Sequence, residues 1–430
     1  MSKTARMAGA GIFRSARERS SGAVKRPVEY SILYTATLCT LAVGAVMVYS
    51  ASSAESLLGT GDPLTYLKRY VLVGLVGVAA LLFLSRHGLS LVRRATPMLL
   101  GAGFVLTMAV SVPGLGVEVN GAQRWLAAGP LQFQPSELLK LALVLYAVHI
   151  LASRPKSVRS MGTLARPLLL VVGAACALLM TQPDMGTALV VCGSIGALLI
   201  AAGTPIRLIG TMFACVAGLA LALAAIAPYR MARLTAFIDP FSDAGDTGFQ
   251  AVQALTAIGS GGLFGVGLGE SVQKIFYLPE AHTDMILAII GEELGLAGIV
   301  GVAGLYGLIG YAGLRTAKAA RDRYSKLLAA GLTSLILFQA SLNLFAVLGL
   351  APLTGVPLPF ISYGSTNLIV LMTAMGLLLN VAATGGVSAK AAKPKLWAID
   401  GGRGGQSRDS RGRNGGARGA RSGRGGRAAG

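Results

Sequence analysis

The 430-residue chain is 53% hydrophobic and only 13% charged, and its formal net charge is +20. Soluble domains carry roughly 25% charged residues, so composition excludes an ordinary water-soluble enzyme. The positive excess gathers largely at the two ends of the chain.

Apolar runs long enough to cross ~30 Å of hydrocarbon recur along the chain. The predicted spans are 31–51, 70–85, 95–113, 136–153, 166–181, 185–203, 205–227, 285–314, 327–350 and 362–385. The expected fold is an all-α integral membrane protein of about ten transmembrane helices. Lys and Arg concentrate in the N-terminal segment and in alternate loops, such as Arg86, Arg93 and Arg94, or Arg315, Lys318, Arg321 and Arg323. That bias puts both termini in the cytoplasm and makes 228–284, between the seventh and eighth spans, a large external loop. Three regions follow: a basic N-terminal segment (1–30), a polytopic membrane domain (31–387) and a Gly/Arg-rich tail (388–430). The tail lacks apolar residues to pack and is expected to be disordered. Its repeats allow RNA binding, but attraction to anionic inner-leaflet lipid is the simpler reading, and no nucleic-acid partner is expected.

The first span follows a long basic stretch and is about span length, so it reads as an uncleaved helix rather than a signal peptide. The four cysteines lie singly in apolar runs without a CxxC pair, and the three histidines are scattered. Neither a disulfide framework nor a metal centre is indicated.

Polar residues collect at the outer ends of spans. In "NGAQRWLAAGPLQFQPSELLK" (120–140), Arg124 and Trp125 suit the interface. Pro135 suits a first helical turn. Glu137 and Lys140 are three apart, so they share a helix face and can pair. Asp184 in "QPDMGTA" (182–188) is either a helix N-cap or a cavity carboxylate. The external loop carries Arg230, Arg233, Lys274, Glu280 and Asp284. Its glycines at 259–269 do not stand between a strand and a helix, so a dinucleotide site is rejected. They read as turns of a lid, and 249–258 reads as a short interfacial helix. Glu292 and Glu293 follow within an apolar run and read as structural. In "PLTGVPLPFISYGST" (352–366), three prolines exclude a regular helix. Irregular backbone at membrane depth is tolerated only against protein or a water-filled cavity, which makes this a candidate cavity wall, with Ser362 and Tyr363 as hydrogen-bonding groups.

Taken in order, "NGAQRW…FQPSELLK", "QPDMGTA", "AFIDPF", "GSGGLFGVGLGESVQKIFYLPEAHTDMI", "GEELG" and "PLTGVPLPFISYG" resemble the motif set of the SEDS family (shape, elongation, division and sporulation) over about 31–385. "MVYSASS" and "AHTDMILAIIGEELG" look more like its division member than its elongation member. Two departures stand out: Asp284-Met285 where the family usually has Asp-Phe, and Gly364-Ser365 where it usually has a double glycine.

The resemblance implies a ten-helix peptidoglycan glycosyltransferase that polymerises lipid II at the outer face of the bacterial cytoplasmic membrane, for septal wall synthesis. It also implies a class B penicillin-binding protein and other division proteins as partners. An α-linked donor and a β-linked product need one inverting displacement and one general base. Asp284 is the expected base. Arg230, Arg233, Lys274 and Lys140 are expected to hold pyrophosphate charge. Arg124, Glu137, Asp184, Glu280 and Ser362 complete the expected substrate-binding set. A divalent cation could assist, but no ligand spacing demands one. A lipid II flippase and the elongation-type polymerase stay open as alternatives.

Overall fold

A computed structural model describes residues 26–391 except 120–121, 129–130, 156–159, 227 and 276. The leader at 1–25 and the tail beyond 391 therefore lie outside the described residues. Eight described segments are long and apolar enough to cross a membrane: Val28–Gly59, Thr65–His87, Leu89–Val110, Pro135–Ser153, Met185–Ala202, Ile286–Ala319, Arg323–Val347 and Ser365–Gly385. Two shorter apolar helices, Pro167–Thr181 and Ile206–Gly218, occupy the remaining two expected positions.

Helix α1 (Val28–Thr60) runs well past the expected end at 51 and stops at Gly61. The extension brings Glu55 to His282, in the loop that precedes Ile286. Helical geometry continues through α2 (Thr65–Val110). As one straight rod these residues would reach about 69 Å, more than twice the hydrocarbon thickness, and they divide into two spans at position 88. Both ends of α2 reach the same face. Tyr70 donates to the Phe360 carbonyl, and the Thr107 carbonyl accepts from Gln182.

Three short antiparallel strands follow, β1 (Gly116–Val119), β2 (Ala122–Ala128) and β3 (Leu131–Phe133). They correct the purely helical expectation. The β1–β2 register ends at Val119↔Ala122, and the intervening Asn-Gly is a favoured hairpin dipeptide. Helix α3 (Pro135–Ser153) starts with Pro135 in its first turn and Glu137 at its positive end. A helical turn and a π-turn lead into α4 (Leu170–Thr181). Then come α5 (Met185–Ala202), α6 (Ile206–Ile226), α7 (Pro228–Ile238) and α8 (Phe249–Gly261). Helix α8 lies where a short helix was expected, but it packs on the next helix through buried Ala254, Ala257 and Gly261. The bundle closes with α9 (Ile286–Ala319), α10 (Arg323–Val347) and α11 (Ser365–Ala391).

Helix α9 is broken at Gly295, whose φ of 67° and ψ of −162° are non-helical. The loop before α9 fills the break. Val266 and Gly267 donate to the carbonyls of Glu292 and Glu293 at 2.9 and 3.1 Å, and Leu296 and Ala297 donate to Gly262 and Leu263 at 3.0 and 3.1 Å. Loop backbone thus replaces the missing helical bonds, as buried amides require. The glycines are there for closeness: a Cβ on Gly261 would stand 2.0 Å from the Gly291 oxygen, and one on Gly265 2.1 Å from the Glu293 oxygen. The expected flexible lid is, in this stretch, backbone packed on backbone.

Gly265→Ala and Gly269→Ala both place a side chain at positive φ, 81° and 87°, but only the first meets backbone. Overpacking of this kind costs about 1–3 kcal/mol. Gly265→Ala is expected to lower the thermal midpoint in detergent well below that of Gly269→Ala. Equal midpoints would mean that the break is not tightly filled.

Candidate active site

The segment 352–364 is the hub. Its prolines remove N–H donors, and its carbonyls are capped by side chains from three helices. Tyr70 of α2 donates to the Phe360 carbonyl at 2.5 Å, and Tyr306 of α9 donates to that of Pro359. From α10, Gln339 donates to Pro357 at 2.9 Å and Asn343 to Val356 at 2.8 Å. The Ser362 hydroxyl accepts from the Leu358 N–H at 2.8 Å and is buried. Ser362, expected as a substrate contact, shapes the turn in this way. Phe360 takes a left-handed φ of 64°, a conformation costly for an aromatic residue unless its surroundings enforce it.

Asp284 stands half-buried just before α9. Its carbonyl accepts from Asn343 at 2.7 Å, so one amide ties both Asp284 and Val356. A cavity of about 10 Å³ lies beside it, lined by Asp284, Met285, Asn343, Thr354 and Gly355 among others. Room of that size holds about one water molecule. Glu280 does not share a helix face with Asp284, because α9 begins only at Ile286 and Glu280 sits in a turn at φ 57°. The link runs through Thr283, whose hydroxyl is 2.6 Å from Glu280 Oε2 and 3.2 Å from Asp284 Oδ1.

Lys140 and Glu137 form the expected pair at 2.8 Å, both almost wholly buried. Lys140 also donates to Gln339 Oε1 at 2.6 Å, and Gln339 passes the chain to Asn367 and to the hub. Asp184 is the N-cap of α5, accepting from the Thr187 N–H at 3.1 Å. Its other oxygen is buried without a hydrogen-bond partner among the described residues. Gly186, two residues on, presses against Thr354 and Val356, which brings the Asp184 turn to the hub. The Arg124 guanidinium donates to the carbonyls of Gln182 and Pro183 at 3.0 and 2.5 Å. It holds the turn that presents Asp184.

Lys274 departs most from expectation. Its ammonium donates to Gly269 O, Glu293 Oε1 and Ser50 Oγ at 2.6, 2.9 and 3.1 Å. All three of its protons are thereby directed to protein, so Lys274 does not join the free cations. Glu292, beside it, accepts from Ser271 Oγ at 2.5 Å and from the Val272 N–H at 3.0 Å. Both adjacent carboxylates are thus structural, as their sequence setting suggested. Arg230 and Arg233 occupy positions three apart on α7, and their side chains lie outside what is described. Among the described residues no group of three or more His, Cys, Asp or Glu side chains has the makings of a metal centre.

Sequence reasoning passed over His282. Its ring packs against Tyr66 and Tyr363 at centroid distances of 4.4 and 5.7 Å, and its Nδ1 is 3.3 Å from Glu55. Burial lowers its pKa, against the opposing pull of Glu55 and Glu280. Gln339 and Asn343 were also missed, though two amides four apart in an apolar span mark one polar helix face.

A family model described as the FtsW, RodA and SpoVE cell cycle protein matches residues 30–385. The chain belongs to that family. A probable peptidoglycan glycosyltransferase FtsW of Geobacter sp. (strain M18) is 40% identical over 342 residues, covering 79% of this chain and 92% of that protein. The stage V sporulation protein E of Bacillus subtilis (strain 168) is 38% identical over 352 residues, covering 81% and 96%. Among solved structures, a peptidoglycan synthase complex that coordinates polymerization and crosslinking matches with a TM-score of 0.69 and 29% identity, over 84% of this chain and 99% of that one. The rod shape determining protein RodA of Thermus thermophilus matches with a TM-score of 0.61 and 30% identity, over 84% and 98%. The SEDS membership expected from the motifs, and the ten-span fold with it, therefore stand.

Removing one partner of a buried ion pair costs about 3–5 kcal/mol, because it strands the other charge. Lys140→Met is expected to lower the unfolding midpoint in detergent sharply, and Glu137→Gln added to it should recover much of the loss. A double variant as unstable as the worse single one would count against the pairing.

Proposed function

We propose that this SEDS protein is a peptidoglycan glycosyltransferase that polymerises lipid II at the outer membrane face, with Asp284 as its general base. The observation that carries the assignment is the half-buried Asp284 carboxylate, set beside a capped, proline-rich wall and a small cavity that Asn343 and Thr354 also line. A sugar hydroxyl is a poor nucleophile until a base removes its proton. Asp284 takes the proton of the acceptor 4-hydroxyl, the freed oxygen attacks the anomeric carbon of the donor, and the donor's bond to pyrophosphate breaks with inversion. The departing pyrophosphate needs cations. Arg230 and Arg233 on α7 suit that task by their position on the external segment. Lys140 acts through Glu137 and Gln339 on the wall rather than as a free charge.

Among the described residues, several buried polar atoms around the hub lack partners: Asp184 Oδ2, Asn343 Oδ1 and Thr354 Oγ1. Unsatisfied buried groups are uncommon and call for a ligand, water or strain. A polyhydroxylated sugar is a fitting ligand for such a set. The cavity beside Asp284 is too small for a sugar ring, so binding requires the loop at 278–284 or the wall at 352–357 to move apart.

We assign the chain to septal synthesis, on the strength of its similarity to proteins named FtsW. A class B penicillin-binding protein is the partner we propose, since a solved relative belongs to a complex that joins polymerization to crosslinking.

Asp284→Asn is expected to abolish glycan formation from lipid II by the purified protein while leaving its thermal midpoint and monodispersity unchanged. Near-parental polymerisation by this variant would remove Asp284 as the base. Translocation of lipid II across vesicles, without glycan formation by the parent, would replace the polymerase reading by a flippase.

A further inference from the structure

A second cavity lies at the opposite membrane face from Asp284. It measures about 350 Å³ and is lined by Ser85, Arg86, Arg321, Asn380, Ala383 and Thr384. Asn380 is about four helical turns beyond the start of α11 at Ser365, or about 22 Å along the axis, which spans most of the hydrocarbon. Arg86 is next to the end of the span Thr65–His87, and Arg321 follows the end of α9. Both guanidinium groups therefore stand at headgroup depth.

The cavity is built around a buried side chain. Asn380 is 8% exposed and donates to the Leu84 and Ser85 carbonyls at 3.1 and 2.9 Å. That clamp fixes the turn that presents Arg86. Among the described residues neither Arg86 nor Arg321 has an ion-pair or hydrogen-bond partner. Their neighbours are arranged differently: Arg315 pairs with Glu29 at 3.2 Å, Arg93 lies over the Tyr324 ring, and Arg323 donates to the Leu151 carbonyl. Asp322, adjacent to Arg321, is turned to Ser325 as the N-cap of α10. Two unpaired guanidinium groups thus face one open cavity, with no carboxylate among its lining residues.

We propose that this cavity binds the phosphate of an anionic lipid headgroup in the leaflet opposite the catalytic face. Guanidinium groups hold phosphate oxygens through paired, charge-assisted hydrogen bonds, and basic pockets between spans are suited to acidic headgroups. Such a lipid bridges α2, α11 and the α9–α10 connection. It neutralises two like charges that otherwise repel across the cavity.

The test uses the purified full-length protein, delipidated in detergent, with added phosphatidylglycerol, phosphatidylcholine or glycerol 3-phosphate. Lipid retention is read by native mass spectrometry and stabilisation by thermal midpoint. Phosphatidylglycerol is expected to be retained and to raise the midpoint, and phosphatidylcholine to do neither to the same degree. In R86Q/R321Q, retention is expected to weaken about tenfold or more, given the loss of both charge-assisted contacts. Arg94→Gln removes an exposed charge outside the cavity lining and is expected to retain the lipid like the parent. Should the double variant not purify, Arg321→Gln alone, at a position outside the helices, serves for the comparison. Equal retention by parent and R86Q/R321Q, or equal loss in Arg94→Gln, overturns the site. Stabilisation by glycerol 3-phosphate as strong as that by the lipid, and lost in the same variants, overturns the lipid and assigns the cavity to a soluble phosphate ester.

Discussion

The structure depends on how the backbone at 352–364 is satisfied. A chain with three prolines cannot form a helix there, yet it lies among membrane helices, where an unpaired carbonyl costs several kcal/mol. Tyr70, Tyr306, Gln339 and Asn343 each supply a donor to one of four carbonyls, those of Val356, Pro357, Pro359 and Phe360. Because these donors come from α2, α9 and α10, the segment cannot be capped unless those helices are in register. The wall of the site and the packing of the bundle are thus one arrangement. The strained Phe360 is affordable only in that setting.

The same logic governs the buried charges. Lys140 and Lys274 are each nearly buried, and each meets a carboxylate together with neutral acceptors. The two pairs have different reach. Glu137–Lys140 is local to one turn of α3 and gains its long-range effect through Gln339. Lys274–Glu293 joins the external loop to the broken helix α9, and Ser50 draws in α1. Past 51, the extension of α1 carries Glu55 to His282 in the same loop.

Much of this was legible because its signals are local. Apolar runs located the spans, three prolines marked the wall, and i,i+3 spacing foretold Glu137–Lys140. Other features were hidden because they depend on contacts distant in sequence. Nothing near Lys274 in the chain says that Ser50 and Glu293 will surround its ammonium, so a free cation was the natural reading. The glycines at 261 and 265 looked like flexibility because close backbone approach and freedom demand the same residue. The three strands between α2 and α3 are too short, at three to seven residues, to announce themselves among apolar spans. His282 reads as one of three scattered histidines until Tyr66, Tyr363 and Glu55 are folded around it.

These ties also say where the closed site opens. For a sugar to seat in the cavity of about 10 Å³ beside Asp284, as proposed, one side of it has to yield. On the wall side, movement breaks several buried hydrogen bonds to carbonyls that find no other donor in the membrane, at about 1–3 kcal/mol each. On the loop side beyond 275, freeing the backbone from the α9 break would also strand the Lys274–Glu293 pair, at about 3–5 kcal/mol. Between these anchors, residues 278–284 are held by the Thr283 hydroxyl beside the Glu280 and Asp284 carboxylates, by Tyr363 to the His282 carbonyl, by Asn343 to that of Asp284, and by the His282 ring, which packs on Tyr66 and Tyr363 with Glu55 at 3.3 Å. An opening that swings the stretch at 278–284 therefore gives up the His282 packing and its Glu55 contact, while Lys274 and the capped wall stay fixed. It exposes the Asp284 carboxylate without dismantling the bundle that positions it.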